Sequence, residues 1–367
     1  MTADAPTTPT PSAEGPRTRS VSLDVLRVVA ILGVVAIHVF AGIVNNQAIR
    51  GSGTWWAATI IDVGNVWVIP VFVMVSGALL LGPRAHAAGP AVFYRKRLLR
   101  LGPAFVAWQL FYIIVVRLVM SHQQLTLIQI LGLVADAQSY THLYFLWLIV
   151  GLYLVAPVLA AFLAAGGPRR AVILAASLLA FTFSVVALSG LSGLYGDPHP
   201  IALNALTQWM PYVGYFVAGW ALRSVVLDLR WTLLTAVITA VLLAETIWQF
   251  ADLSRPALLQ AISPTTYIGA IVGIASIGVF VVGQSLFARV RLRARASRML
   301  AQLSDAAFGV FLVHFFFLVL GIILLPWLNA ARSSNLAVAF AMWASIVVVS
   351  FAVSLGARRV PGLRRFF

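Results

Sequence analysis

The chain has no cysteine and little charge, and each absence excludes a class of protein. Without cysteine it forms no disulfide and offers no thiolate ligand to a metal. Asp, Glu, Lys and Arg make up only 10% of the 367 residues, whereas soluble domains carry about 25%. Most of the molecular surface is therefore expected to face something other than water.

Short alternating strands, the pattern of a membrane barrel, are also missing. Instead, 61% of the residues are hydrophobic and the mean hydropathy is +0.97, with repeated apolar runs of about 18 residues or more. These runs predict an all-α integral membrane protein, because a helix satisfies its own backbone hydrogen bonds in lipid. We predict ten spans, at about 22–44, 58–81, 101–120, 143–165, 171–190, 208–226, 231–250, 266–288, 304–325 and 335–356. The sixth is the weakest, since it is short and contains Pro211.

The formal net charge of +15 could indicate nucleic-acid binding in a soluble protein. Here its distribution indicates membrane topology instead. With a cytoplasmic N-terminus, 20 of the 25 Lys and Arg residues fall in cytoplasmic segments, two within spans (Arg27 and Arg117) and three outside (Arg50, Arg255 and Arg332). This asymmetry follows the positive-inside rule at every loop. It predicts that both termini are cytoplasmic, in a multi-pass protein of the cell membrane that binds no nucleic acid.

Domain organisation is simple in this prediction. Residues 1–20 are rich in Pro, Thr, Ser and Ala and are predicted to be a disordered cytoplasmic tail. Residues 21–367 are predicted to form one transmembrane domain.

Two ionisable residues bracket the apolar run RVVAILGVVAIH in the first span, Arg27 and His38. They differ by about 20° around a helix and about 16 Å along it, so they share one face. Asp24 lies three residues before Arg27 and can pair with it. Ionisable residues inside a membrane are costly and mark functional sites. His38 has the chemistry of a general base, and Arg27 lies near the cytoplasmic boundary, where snorkelling is the alternative role.

A second basic cluster precedes the third span in FYRKRLLRLGP. Arg97 and Arg100 lie three residues apart on one helix face, with Lys96 beside them. Positive-inside charge would explain them. A phosphate clamp at the cytoplasmic face is the functional alternative, since arginine forks bind phosphate well.

Other polar residues in the spans have two open interpretations each. Asp62 could face His38 or bond to a neighbouring helix, and His314 could belong to the site or pack. Trp147 could stack on a sugar or belong to an interfacial aromatic belt. The sequence assigns no role to Glu245 or Asp305, although Asp305 suits the start of a helix.

Taken together, these segments resemble the acyltransferase 3 family. The matching elements, in chain order, are Arg27-x10-His38, VFVMVSGALLL (71–81), RKRLLRLGP (95–103), HLYFLWLIVGLYLVAPVL (142–159) and GVFLVHFFF (309–317). Tyr144 and Phe145 stand where a Trp-Phe pair is commoner, and Phe311 where Tyr is usual; both departures keep an aromatic residue.

The resemblance implies an integral membrane O-acyltransferase. It would move an acyl group, usually acetyl, from cytoplasmic acyl-CoA to a hydroxyl of a sugar, glycan or glycosylated metabolite, without a metal. In this interpretation His38 and Arg27 are catalytic, and Arg97, Arg100 and Lys96 bind acyl-CoA. The acceptor would contact a further set, Asp62, His314 and Trp147.

The alternative is a polytopic transporter or flippase of a carbohydrate-type substrate. Paired broken helices and an inverted repeat would favour a transporter. The sequence contains neither pattern.

Overall fold

The computed structural model describes residues 19–252 and 256–367, which are helical and contain no β-strand. Their α-helices are α1 (Val21–Val44), α2 (Gly53–Val63), α3 (Val68–Leu80), α4 (Pro83–His86), α5 (Pro90–Phe111), α6 (Leu127–Ala135), α7 (Tyr144–Ala164), α8 (Gly167–Leu194), α9 (Val213–Leu222), α10 (Leu229–Ala251), α11 (Ala257–Ile262), α12 (Ala270–Phe287), α13 (Ala294–Leu324), α14 (Pro326–Arg332) and α15 (Leu336–Ala357). The protein is therefore an all-α polytopic membrane protein, as predicted.

Side chains cap the starts of several helices, where the backbone N–H groups lack helical partners. The Ser20 hydroxyl accepts a hydrogen bond from the N–H of Leu23 at the start of α1. Thr126 and Gln129 form a reciprocal capping box on α6, and Asn335 caps α15. Of the predicted disordered tail, residues 1–18 lie outside the described residues. Its last residue, Ser20, is part of the ordered helix start.

Nine stretches of the described residues are long and apolar enough to cross a membrane. The predicted sixth span, 208–226, is not among them, so the prediction of a regular spanning helix there was wrong. Its place is taken by a 3-10 turn, Met210–Tyr212, followed by the short helix α9. Pro211 lies inside that turn, where it interrupts regular helical hydrogen bonding.

Hydrogen bonds nevertheless join the segment around α9 to both ends of α12. The Tyr215 hydroxyl donates to the carbonyl of Tyr267, just before α12 begins. The Gln284 side chain, in the last turn of α12, donates to the carbonyl of Arg223. The chain therefore passes through the bundle at this point as well. Irregular backbone is tolerated at membrane depth where protein surrounds it.

Two glycines allow α3 and α9 to cross closely. A Cβ added at Gly77 would lie 1.8 Å from the carbonyl oxygen of Phe216, and one at Gly219 would lie 1.8 Å from that of Met74. Small residues commonly allow such backbone contact between membrane helices. This crossing buries α9 in the centre of the bundle.

The two ends of the described chain meet at one end of the bundle. Arg19 bonds to Asp305 at the start of the ninth predicted span, at 2.8 Å. Arg358, just after α15, lies 3.7 Å from the same carboxylate. Both ends of the described chain therefore lie on one side of the bundle, as the charge distribution predicts.

Candidate active site

His38 lies in the half of α1 that is distant from the Arg19 end of the bundle. Its ring packs on His314 of α13, with ring centroids 5.4 Å apart and planes 27° apart. The ring of Phe315 is 4.7 Å away on the same helix. Thus the structure brings together two residues, His38 and His314, that the sequence could relate only through the family pattern.

A third histidine completes this cluster. His142 precedes α7, and its ring centroid is 5.1 Å from that of His314. It stacks on Phe315 at 5.2 Å with an interplanar angle of 8°. The side chain is buried, and among the described residues neither ring nitrogen has a hydrogen-bond partner of normal geometry, although one approaches the backbone of Leu312.

The backbone of α13 sets the tautomer of His314. Its Nδ1 lies 2.8 Å from the carbonyl oxygen of Phe311 and 3.1 Å from that of Val310. Both oxygens are acceptors, so Nδ1 must carry the proton. Nε2 is then an acceptor, and it has no partner among the described residues.

Tyr112 supports the same stretch of α13 from a neighbouring span. Its hydroxyl donates to the carbonyl of Leu312 and accepts the N–H of Phe316, both at 2.9 Å. In a regular α-helix these two backbone groups would bond to each other. Tyr112 begins a π-helical segment, Tyr112–Met120, that continues α5. The sequence predicted an ordinary helix here, yet π-helical turns are frequent at functional sites.

A cavity of about 220 Å³ adjoins the histidines. Its polar lining consists of His38, Thr141, His142, Tyr144 and Tyr267, and the remaining wall is apolar, from α1, α3 and α13. Complete sites for drug-sized ligands span about 300–1,000 Å³. The cavity is therefore smaller than a complete site for a drug-sized ligand.

Arg27 and Arg97 both lie near Tyr153 of α7, at the end of α1 opposite His38. The guanidinium of Arg97 lies 5.3 Å from the ring centroid of Phe93 and 5.7 Å from that of Tyr153, and Tyr153 also interacts electrostatically with Arg27. Arg27 donates to the hydroxyl of Ser304 at 3.1 Å.

The other two residues of the predicted phosphate clamp lie outside this contact. Lys96 and Arg100 are exposed on α5. Nε of Arg97 is buried and has no partner among the described residues. Of the three, Arg97 is the one whose guanidinium lies against the ring of Tyr153.

Asp24 does not form the expected ion pair with Arg27. It binds Arg19 instead, with Nε and Nη2 of the arginine at 2.5 and 3.0 Å from its carboxylate. These bonds, together with those to Asp305, raise the pKa of Arg19 above its ordinary value. The predicted pairing was wrong because Arg19, just before α1, bonds to the carboxylate of Asp24.

Two further predicted acceptor contacts, Asp62 and Trp147, are not among the residues that line the cavity. Asp62 lies in the last turn of α2, within electrostatic range of Tyr267. Trp147 packs edge-on against Phe105 of α5, with centroids 4.7 Å apart. Its indole N–H is buried without a partner among the described residues.

Sequence reasoning missed two arginines on the histidine side. Arg332 is 7% exposed, and it donates to the carbonyl of Val39, next to His38, at 2.6 Å. Arg117 donates to the carbonyls of Gln138 and Ser139 and so holds the loop that leads to His142. Arg332 had been counted only as an external charge. Gly42 leaves room for this side chain, since an added Cβ would lie 2.0 Å from Nη1 of Arg332.

The described ranges offer no metal site: they contain no group of three or more His, Cys, Asp or Glu side chains placed to hold a metal ion.

The sequence model of the acyltransferase 3 family, described as an acyltransferase domain, matches residues 20–358. The chain belongs to the acyltransferase 3 family. No curated protein and no solved structure matches the chain. As a member of the acyltransferase 3 family, the protein is a membrane acyltransferase, and the transporter alternative loses its support. Residues Arg27 to His314 of the predicted site all lie inside the matched region.

Proposed function

We propose that this acyltransferase takes its acyl group, usually acetyl, from cytoplasmic acyl-CoA and transfers it to a hydroxyl of a sugar, glycan or glycosylated metabolite. The observation that supports this most directly is the position of His38. It lines a small cavity with polar neighbours, and its helix carries Arg27 about 16 Å away on the same face.

In this proposal the phosphates of acyl-CoA bind at Arg97 and Arg27, with Lys96 and Arg100 at the entrance. Arginine is suited to phosphate because its planar fork donates two parallel hydrogen bonds. The thin pantetheine arm then passes between α1, α5 and α7 toward the cavity. Only the thioester end has to enter the cavity, whose volume is about 220 Å³.

His38 acts as the general base. It takes the proton of the acceptor hydroxyl while the hydroxyl oxygen attacks the thioester carbonyl. The C–S bond breaks, the ester forms, and the CoA thiolate recovers the proton from His38. The Nε2 acceptor of His314 and the ring of His142 adjoin this step and would orient His38 or the acceptor. A route through an acyl-histidine balances equally well, with His38 as nucleophile.

The experiment is His38→Ala in purified protein supplied with labelled acetyl-CoA, together with His38→Gln as a variant of closer size. We expect acyl transfer to fall by about 10²-fold or more, with an unchanged elution profile in size exclusion. Normal transfer by either well-folded variant would contradict the role of His38.

A second variant tests the donor site. Arg97→Ala should raise the KM for acyl-CoA and leave kcat within about twofold, because the arginine binds remote phosphates in the ground state and transition state alike. Arg95→Ala, an exposed neighbour on the same helix, is the matched control. An unchanged KM in Arg97→Ala would assign that arginine to topology alone.

A further inference from the structure

A second and larger depression lies on the outer surface of the bundle, between α7 and α8. Its volume is about 360 Å³, and its lining includes Phe162, Arg169, Arg170, Ile173, Leu174 and Ser177. It shares no lining residue with the histidine cavity. It lies at the end of α7 opposite His142, on the side where the sequence places the cytoplasm.

The lining residues follow one face of α8 from a charged end to an apolar one. Ile173, Leu174 and Ser177 follow Arg170 by three, four and seven residues, so all four share a helix face. The two arginines stand at the membrane boundary, and the apolar residues continue toward the bilayer core. Ile173 is 56% exposed, which on a membrane helix means that the depression opens to lipid.

Arg170 is held across the mouth of this depression. Nη1 donates to the carbonyl of Phe162 at 3.2 Å, and the guanidinium lies 4.9 Å from the centroid of that ring. The side chain folds over Gly166, where an added Cβ would lie 1.8 Å from Nε of Arg170. This arrangement therefore requires glycine at position 166.

The charge of the two arginines is not neutralised by the protein. In the described part of the chain, neither Arg169 nor Arg170 has an acidic partner within 4 Å. The hydrogen bond to Phe162 uses one of the five N–H donors of Arg170. The depression thus combines available cationic donors at the boundary with an apolar wall in the membrane.

We infer that this depression binds one anionic phospholipid. The phosphate accepts hydrogen bonds from Arg169 and Arg170, and one acyl chain lies along Phe162, Ile173 and Leu174. Basic pockets between membrane helices on the cytoplasmic side bind anionic headgroups in this way. A soluble phosphate would use only the mouth and leave the apolar wall without a ligand, which is why the occupant is assigned as a lipid.

The experiment is native mass spectrometry of the purified full chain, titrated with phosphatidylglycerol and, separately, with phosphatidylcholine. We expect one tightly retained phosphatidylglycerol. In the double variant Arg169→Gln/Arg170→Gln, its Kd should rise about tenfold or more, because two charge-assisted contacts are lost. The double variant Arg291→Gln/Arg293→Gln removes the same charge from an exposed cytoplasmic segment, and its Kd should match that of the wild type.

Two more measurements distinguish a specific lipid site from non-specific electrostatic attraction between anionic lipid and the basic surface. Ile173→Trp fills the apolar wall while keeping both arginines, and it should also displace the lipid. Glycerol 3-phosphate at millimolar concentration should not compete. The inference would be overturned if both double variants lost the lipid equally or if Ile173→Trp retained it. Displacement of the lipid by glycerol 3-phosphate or acetyl-CoA would also overturn it. Size exclusion and thermal unfolding of each variant confirm that the comparison is between folded proteins.

Discussion

Removal of one hydroxyl, in Tyr112→Phe, tests how the histidine cluster is held. The hydroxyl stands between the carbonyl of Leu312 and the N–H of Phe316, 2.9 Å from each, and so separates two groups that belong together in a regular helix. Side chains inserted in this way kink helices. Without the hydroxyl, α13 can close its own hydrogen bond, and the helical turn that carries His314 should then shift.

The expected magnitude follows from the two hydrogen bonds. Each contributes about 0.5–1.5 kcal/mol net, and closure of the helical bond restores about one of them. The free energy of unfolding should therefore fall by about 0.5–1.5 kcal/mol, the value of one such bond. Activity should fall further, because a displacement of about 1 Å in a site can cost up to about 10²-fold in rate. We expect kcat to fall by about 10- to 100-fold.

The assay separates the two ends of the proposed site. The KM for acyl-CoA should stay within about twofold, since Arg97 lies at the far end of the bundle. Tyr140→Phe is the matched control, because its ring is 4.7 Å from that of Tyr112 and no hydrogen bond joins its hydroxyl to α13. Wild-type kcat in Tyr112→Phe, or equal losses in the two variants, would refute the reasoning.

Four further substitutions test the helix packing and the ion pairs at one end of the bundle. Gly42→Ala should lower the free energy of unfolding by about 1–3 kcal/mol, because the new Cβ would lie 2.0 Å from Nη1 of the buried Arg332; thermal unfolding in detergent measures it. Gly219→Ala should destabilise the protein more and reduce the yield of folded protein, because the new Cβ would lie 1.8 Å from the backbone of Met74. Gly356→Ala is the control: its Cβ would have no neighbour within 4 Å, so stability should not change. Asp305→Asn should cost less than about 1 kcal/mol, and the difference should vanish in high salt, because the carboxylate is 40% exposed and its ion pairs are screened.

The sequence predicted the features that depend on composition and on a single helix. Low charge and long apolar runs predicted the membrane bundle, and the asymmetry of Lys and Arg predicted that both ends of the chain lie on one side of it. The helical period placed Arg27 and His38 on one face of α1. Each of these depends on residues near in sequence, so no knowledge of helix packing is needed.

The contacts that complete the site required the packing itself. The approach of His142 to His314 depends on how the loop before α7 folds over the bundle. The role of Tyr112 depends on a π-helical segment that places its hydroxyl against α13, and neither residue has a local pattern that distinguishes it from an ordinary aromatic. The sequence predicted an ion pair between Asp24 and Arg27, because no pattern shows that the side chain of Arg19 reaches the carboxylate of Asp24.

The two ends of the proposed site are built by different means, and this difference bears on substrate selection. On the donor side, Arg27 and Arg97 project from long helices packed around Tyr153. On the histidine side, two connecting segments adjoin the cavity: Arg117 fixes the loop that leads to His142, and Arg332 ties α14 to the backbone beside His38. Helices vary less than loops in conformation and in tolerance to change. A donor common to many acyltransferases suits the rigid end, whereas the acceptor, which differs most among possible substrates, would be selected at the end that loops shape.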